Sequence, residues 1–172
     1  MIQRLRVPLG FVVAAAVLYL ATPRGLRILA GLPFAIAGGL LRAMAAGTIR
    51  KDSKLAIAGP YAWTRNPLYF GSFLLTVGFA IMSNSWIAAL ILIIPSLVIY
   101  PNVIRNEEAH LEKLFPEEFR RYCESVPRFI PKLGRFERSF SSISFKQYVA
   151  NREYNTAIGF AAVLAVFIFK SL

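Results

Sequence analysis

The sequence predicts an all-α integral membrane protein, a bundle of about five transmembrane helices with an amphipathic-helical segment on the cytoplasmic side. Three observations predict this class. Hydrophobic residues make up 56% of the 172-residue chain, and its mean hydropathy is +0.54, too apolar for an ordinary soluble domain. The uncharged stretch from Asn66 to Ile104 is long enough for two spans of about 20 residues each. The basic residues behind the net charge of +11 flank the apolar runs, as they do in cytoplasmic loops of membrane proteins. That placement argues against nucleic-acid binding, which has little beyond the pI of about 10.3 in its favour. A single cysteine, Cys123, excludes an internal disulfide and a cysteine-based metal cluster. His110 is equally alone, so no metal site is expected.

The first element is short and basic at its start (Arg4, Arg6) and then uncharged from Val7 to Pro23. Tyr19 spoils the small-residue pattern of a signal-peptide cleavage site after Ala21, so the run reads as a retained first membrane helix. Leu26 to Gly47 is a second apolar helix, with Arg27 and Arg42 near its ends, where long side chains can snorkel to the interface. Its Gly31, Ala35, Gly38, Gly39, Ala43 and Ala46 would let another helix pack closely. Thr48 to Arg65 is a polar connection. Helices over 67–82 and 86–104 follow, joined by Ser83-Asn84-Ser85, with Trp86 at headgroup level. Pro95 and Pro101 are expected to bend the fourth helix.

Arg105 to Arg152 is the sizeable polar block. Leu111, Leu114, Phe115, Phe119, Tyr122 and Val126 recur at helical spacing, which predicts amphipathic helices lying against the membrane face. Pro116-Glu117-Glu118 reads as a fresh helix start, Pro127 and Pro131 as its stop, and Ser139–Ser144 as a loop. Asn155 to Phe169 is a last, short apolar helix. With the N-terminus inside and five spans, the cytoplasmic side takes every basic residue except Arg24, Arg27 and Lys170, which fixes the orientation.

The chain is organised around Gly59-Pro60-Tyr61-Ala62-Trp63-Thr64-Arg65-Asn66-Pro67-Leu68-Tyr69-Phe70-Gly71. Gly-Pro is turn chemistry. Asn66-Pro67 is a helix start, with Asn66 able to cap and Pro67 suited to the first helical position. Arg65 therefore stands at a helix N-terminus, with a forked donor suited to a carboxylate or phosphate. Because the third and fourth helices are joined by a tight turn, Asn106-Glu107-Glu108-x-x-Leu111 lies at the same depth as this motif. Either feature taken alone also fits an interfacial cap or solvated charge.

Together with Phe115-Pro116-Glu117-Glu118-Phe119-x-x-Tyr122 and Val126-Pro127, these motifs resemble the isoprenylcysteine carboxyl methyltransferase family, whose core related phospholipid methyltransferases share. The match runs from about Leu55 to Pro131. The resemblance implies one membrane-embedded methyltransferase domain over 1–172, in which 1–47 form a helical hairpin, 48–135 the catalytic core and 136–172 the C-terminal helices. It implies that S-adenosyl-L-methionine is bound in a cytoplasmic pocket by Leu55, Tyr61, Asn66, Pro67, Leu68, Tyr69 and Glu107. Arg65, Glu108 and Arg105 are then the residues on the reacting side. The family usually has histidine where this chain has Asn66. It also places a substrate-holding basic residue where this chain has Val103, which leaves Arg105 or Arg65 as the nearest candidate.

The cofactor's chemistry agrees with these residue types. Tyr61, Trp63 and Tyr69 offer ring faces to the sulfonium and the purine. Glu107 suits the ammonium or the ribose hydroxyls, and the helix start at Asn66 suits the carboxylate. The expected function is O-methylation of a carboxylate on a prenylated or lipid-like acceptor taken from the bilayer, at a bacterial inner membrane and without nucleic acid. The alternatives are N-methylation of phospholipid amines, an NADPH-dependent sterol or lipid reductase, and a non-catalytic membrane anchor. The chain's oligomeric state is not encoded in any motif.

Overall fold

The computed structural model describes residues 12–50, 53–132 and 143–172. Arg4, Arg6, the start of the first apolar run, Lys51 and most of the Ser139–Ser144 loop lie outside these. Among the described residues the regular elements are helical throughout: α1 over 12–20, α2 Gly25–Thr48, a 3-10 turn Gly59–Ala62, α3 Pro67–Ser83, α4 Trp86–Leu114, α5 Pro116–Ser125, α6 Phe145–Ala150 and α7 Tyr154–Ser171. Helices α2, α4 and α7 are long and apolar enough to cross a membrane, and α3 is apolar over 17 residues. The chain is an integral membrane protein, and the expected five spans are an approximate count.

The bundle is built on the α2–α3 pair. The two helices run antiparallel, with Gly31 opposite Gly78 and Gly38 opposite Gly71. A Cβ added at Gly38 would lie 2.5 Å from the Gly71 carbonyl oxygen and 2.7 Å from the Leu75 nitrogen. The backbones touch, as small residues allow in lipid, where dispersion and close packing rather than water exclusion hold helices together. Only part of the small-residue stripe works this way. A Cβ at Gly39 would meet nothing within 4 Å, so that side of α2 faces elsewhere.

Helix α7 closes the bundle at its far end. Phe167 is fully buried with Ala21, Ile28, Ala35, Leu75 and Met82, and its ring meets Phe79 edge-on at 6.1 Å. Lys170 Nζ donates to the Leu18 and Ala21 carbonyls at 2.7 and 2.6 Å, satisfying the open end of α1. At the same end α3 and α4 are joined through Asn84, whose φ of 48° is the left-handed conformation asparagine tolerates. Along α4, Trp86, Ile87, Leu90, Ile94, Leu97 and Val98 are exposed, the apolar face that lipid solvates.

Three expectations need correction. Helix α4 does not stop at Ile104 but continues through Pro95 and Pro101 to Leu114. Beyond the apolar run, Leu111 and Phe115 pack against the cluster of Leu55, Phe119, Tyr122 and Val126, which gives the polar extension one buried side. That same cluster covers the apolar side of α5 with protein instead of laying it on the membrane face. Arg42 does not snorkel. It turns inward to Glu153 and joins α2 to α3 and α7.

Candidate active site

The site lies at the end of the bundle opposite the α3–α4 turn, where the loop before α3 is stitched to the chain after α5. The Arg65 N–H donates to the Pro127 carbonyl at 2.9 Å, and the Lys132 N–H to the Trp63 carbonyl at 2.9 Å. Thr64, fully buried, donates its hydroxyl to the Phe129 carbonyl at 2.9 Å. The Tyr122 hydroxyl donates to the Tyr61 carbonyl at 2.6 Å. These bonds satisfy a buried irregular backbone, which is costly unless every polar group is paired. They also explain why Gly59, at φ 61°, and Pro60 begin the segment: the chain must reverse within a few residues to present its carbonyls.

Glu108 is the electrostatic centre of this seam. Its Oε1 accepts from Arg65 Nε at 3.1 Å and from Asn66 Nδ2 at 3.2 Å, and its Oε2 from Arg128 Nη2 at 2.6 Å. Arg65 Nη1 also donates to the Cys123 and Val126 carbonyls at 3.2 and 3.4 Å. One carboxylate thus anchors two arginines, and Arg65 is already engaged by protein partners.

Asn66 stands at the N-cap position and Pro67 opens α3 as expected, but the Asn66 side chain makes no cap bond. It donates to Glu108 and, at 2.9 Å, to the Arg128 carbonyl. The capping expectation fails because a buried amide beside a carboxylate gains a charge-assisted bond there. The first turn of α3 is left without a side-chain cap.

Around this seam opens a cavity of about 270 Å³, just below the range of roughly 300–1,000 Å³ usual for small-molecule sites. Leu55, Tyr61, Arg65, Asn66, Pro67, Leu68, Tyr69, Glu107 and Glu108 all line it. Three stretches far apart in sequence therefore meet at one place. Arg105 does not line it and is exposed. Trp63 is buried away from the cavity, so its ring does not face a ligand there. Sequence reasoning did not single out Arg50, Lys54, His110, Phe119 or Tyr122 as lining residues, nor Arg128 as a partner of Glu108. The helical spacing of Phe119 and Tyr122 with Leu111 was the signal that could have found two of them.

Glu107 differs from its neighbour. It is exposed at the cavity and makes no ion pair within the described residues. The Tyr61 phenol is pushed well above its ordinary pKa, first by burial and then by the Glu107 carboxylate. Burial likewise raises the Tyr122 phenol and the Cys123 thiol. The cavity thus offers a carboxylate, the rings of Tyr61 and Tyr69, the first turn of α3, and the cations Arg50 and Lys54. A ligand carrying a cation, an aromatic ring and a carboxylate fits that set. S-adenosyl-L-methionine carries all three.

Comparison with known proteins agrees with the class of site. Residues 39–118 match the model of the phospholipid methyltransferase family. Over 108 residues, 63% of this chain and 49% of the relative, the chain is 36% identical to the nickel-cobalt-cadmium resistance protein NccN of Alcaligenes xylosoxydans xylosoxydans. It is also 36% identical to the cobalt-zinc-cadmium resistance protein CzcN of Cupriavidus metallidurans, over 51% of this chain and 40% of that one. To the protein-S-isoprenylcysteine O-methyltransferase of Schizosaccharomyces pombe it is 30% identical, over 47% of this chain and 34% of the relative. The chain spans about half or less of the length of these relatives. No solved structure matches it. The resemblance carried by the motifs stands as a similarity: the chain is similar to phospholipid methyltransferases over residues 39–118 and to an isoprenylcysteine O-methyltransferase over 47% of its length.

Proposed function

We propose, from this kinship and from the cavity, that the protein is an S-adenosyl-L-methionine-dependent methyltransferase of the membrane. Its acceptor is a lipid-like or prenylated molecule, methylated on a carboxylate oxygen. The observation that carries the reading is the meeting of Leu55, Tyr61, the Asn66–Tyr69 turn and Glu107 around one cavity. When bound, the cofactor supplies a methyl group on a sulfonium: the carbon–oxygen bond forms as the carbon–sulfur bond breaks, and a neutral thioether leaves.

What the chain contributes is binding, orientation and exclusion of water. Glu107 holds the cofactor's ammonium or ribose hydroxyls. The first turn of α3 receives its carboxylate, helped by the helix dipole. Tyr61 and Tyr69 offer their ring faces to the sulfonium and the purine. Glu108 acts through others: it holds Arg65, Asn66 and Arg128 and so fixes the wall of the cavity. An acceptor that is already a carboxylate needs no general base, and holding the reacting atoms at roughly 3–3.5 Å supplies most of the acceleration. The excess of basic residues at this end supports a cytoplasmic site in a bacterial inner membrane.

N-methylation of a phospholipid amine is the second reading, supported by the matched family model. Such an acceptor must first lose a proton.

Calorimetric titration of the detergent-solubilised protein with S-adenosylhomocysteine tests the proposal, with NADPH titrated in parallel. Micromolar binding of the first is expected. In Glu107→Ala it weakens about ten- to hundredfold, the worth of one charge-assisted hydrogen bond. Binding of NADPH alone would replace the proposal with a reductase, and binding of neither would leave a membrane anchor.

A further inference from the structure

The chain that leaves α2 brings two cations to the cavity, and the cofactor chemistry above uses neither. The last turn of α2 is tied down by the segment around α6. Asn151 Nδ2 donates to the Ala46 and Ile49 carbonyls at 2.8 and 3.2 Å, and the Ser144 N–H donates to the Gly47 carbonyl at 2.9 Å. Carbonyls that a helix end leaves open are thereby satisfied, and the exit of the chain towards Ile49 and Arg50 is fixed. Just beyond, Arg50 and Lys54 pair in an isolated antiparallel bridge, and the Ser53 hydroxyl donates to the Arg50 carbonyl at 3.3 Å. Both Arg50 and Lys54 line the cavity, and both are exposed.

This turn sets two positive side chains opposite each other. Residues facing across an antiparallel bridge have Cβ atoms about 4.5–5.5 Å apart, and like charges so placed repel. Neither residue has an ion-pair partner among the described residues. The cations expected to take an anion are otherwise occupied: Arg65 is engaged by Glu108 and two carbonyls, and Arg105 does not line the cavity. Charge balance points the same way. Glu108 is held by Arg65 and Arg128, which leaves Glu107 to face Arg50, Lys54 and the cofactor. A sulfonium and an ammonium against one carboxylate bring further net positive charge. An acidic acceptor cancels the surplus of the loaded cavity, and a cationic one adds to it.

We propose that Arg50 and Lys54 form the subsite that holds an acidic group of the methyl acceptor, a carboxylate or a phosphate, and so select an anionic amphiphile. The inference rests on the methyltransferase reading above and assigns its acceptor specificity to the turn after α2. The first turn of α3 receives the cofactor's own carboxylate, so these two cations are left for the second substrate. An anion between them relieves their mutual repulsion and gains charge-assisted hydrogen bonds from both.

The test loads the full, detergent-solubilised chain with S-adenosylhomocysteine and measures by native mass spectrometry its retention of palmitate, hexadecyl phosphate or hexadecylamine. These probes share one chain length and differ in headgroup. At least one of the two anions should be retained over the amine, and its retention should weaken at least about tenfold in the double variant Arg50→Gln with Lys54→Gln. Exchanging the pair, Arg50→Lys with Lys54→Arg, keeps both charges and should restore it. S-adenosylhomocysteine affinity should stay at the parent value in both variants, which also shows that they fold. Weakening of palmitate alone identifies the acidic group as a carboxylate, and of hexadecyl phosphate alone as a phosphate. Unchanged anion retention in the double variant overturns the proposal, as does equal retention of the amine or retention of neither anion by the parent. A double variant that loses S-adenosylhomocysteine and keeps the anions also overturns it, since both cations then belong to the cofactor's carboxylate. Failure of the parent to bind S-adenosylhomocysteine overturns the methyltransferase reading by itself, whatever the probes show.

Discussion

Two arginine–glutamate pairs, Arg65–Glu108 and Arg42–Glu153, each tie together segments far apart in sequence, and they are built to different rules. At the cavity seam Glu108 serves two arginines at once, so the cluster keeps a surplus positive charge. That is tolerable because Arg128 is 46% exposed and can be solvated. Between α2 and α7 the pairing is one to one and bidentate, with 21% and 9% of the side chains exposed. The remaining Arg42 donors go to neutral oxygens of Ser72, Thr156 and Leu68. Where lipid surrounds the bundle, a charge must be cancelled in place, because the surroundings offer it no hydration. At the water edge the protein can leave charge over and use it.

The largest effect should come from breaking the inner pair. Glu153→Ala leaves Arg42 charged and without its carboxylate inside the bundle, at a cost of about 3–5 kcal/mol. We expect a large drop in the thermal unfolding temperature in detergent. The double variant Arg42→Met with Glu153→Met should recover most of the loss, since well-packed apolar residues can replace a buried pair. A single variant that melts like the parent would mean that Arg42 finds water and that the two pairs do not differ in kind.

The outer pair should break more gently. Glu108→Gln keeps the shape and one acceptor, Arg65 retains the Cys123 and Val126 carbonyls, and Arg128 turns to solvent. The expected cost is about 1–3 kcal/mol. S-adenosylhomocysteine affinity should fall less than in Glu107→Ala, because both Glu108 oxygens are already held by Arg65, Asn66 and Arg128, whereas Glu107 is exposed at the cavity. If the order of the two affinity losses is reversed, the roles of the two adjacent glutamates must be exchanged.

The difference between the pairs also marks what the sequence makes legible. The cavity could be read because its parts are local words: the turn and helix start from Gly59 to Gly71, and two adjacent acids leaving a helix of known neighbours. Helical membrane class and the limits of α2 and α3 were equally plain from apolar runs and from Asn66-Pro67. The Arg42–Glu153 pair could not be read, because 111 residues separate its members and an arginine near a helix end looks the same whether it snorkels or pairs. Helix α5 was misplaced for a related reason. An amphipathic pattern states that one side is buried, and says nothing of whether lipid or Leu55 covers it. Asn66 took its expected position and a different partner, since capping preference yields to a buried carboxylate within reach.

The smallest expected effect separates packing at the seam from charge in either pair. Tyr122 donates to the Tyr61 carbonyl at 2.6 Å, so Tyr122→Phe should cost about 0.5–1.5 kcal/mol at neutral pH. Its pH dependence carries the sharper information. Burial raises both the Tyr61 and Tyr122 phenols above their ordinary value near 10.0, so the fold holds their neutral forms. Above that pH the unfolded chain gives up these protons while the native state keeps them, and stability must fall as pH rises. Below it, the contribution is fully present. Unfolding temperature measured from about pH 8 to about pH 11 should therefore decline in the parent and decline less steeply in Tyr122→Phe, which has one buried phenol fewer. Equal slopes would mean that the Tyr122 hydroxyl reaches water, and the seam would then be held by the Glu108 cluster rather than by its buried hydrogen bonds.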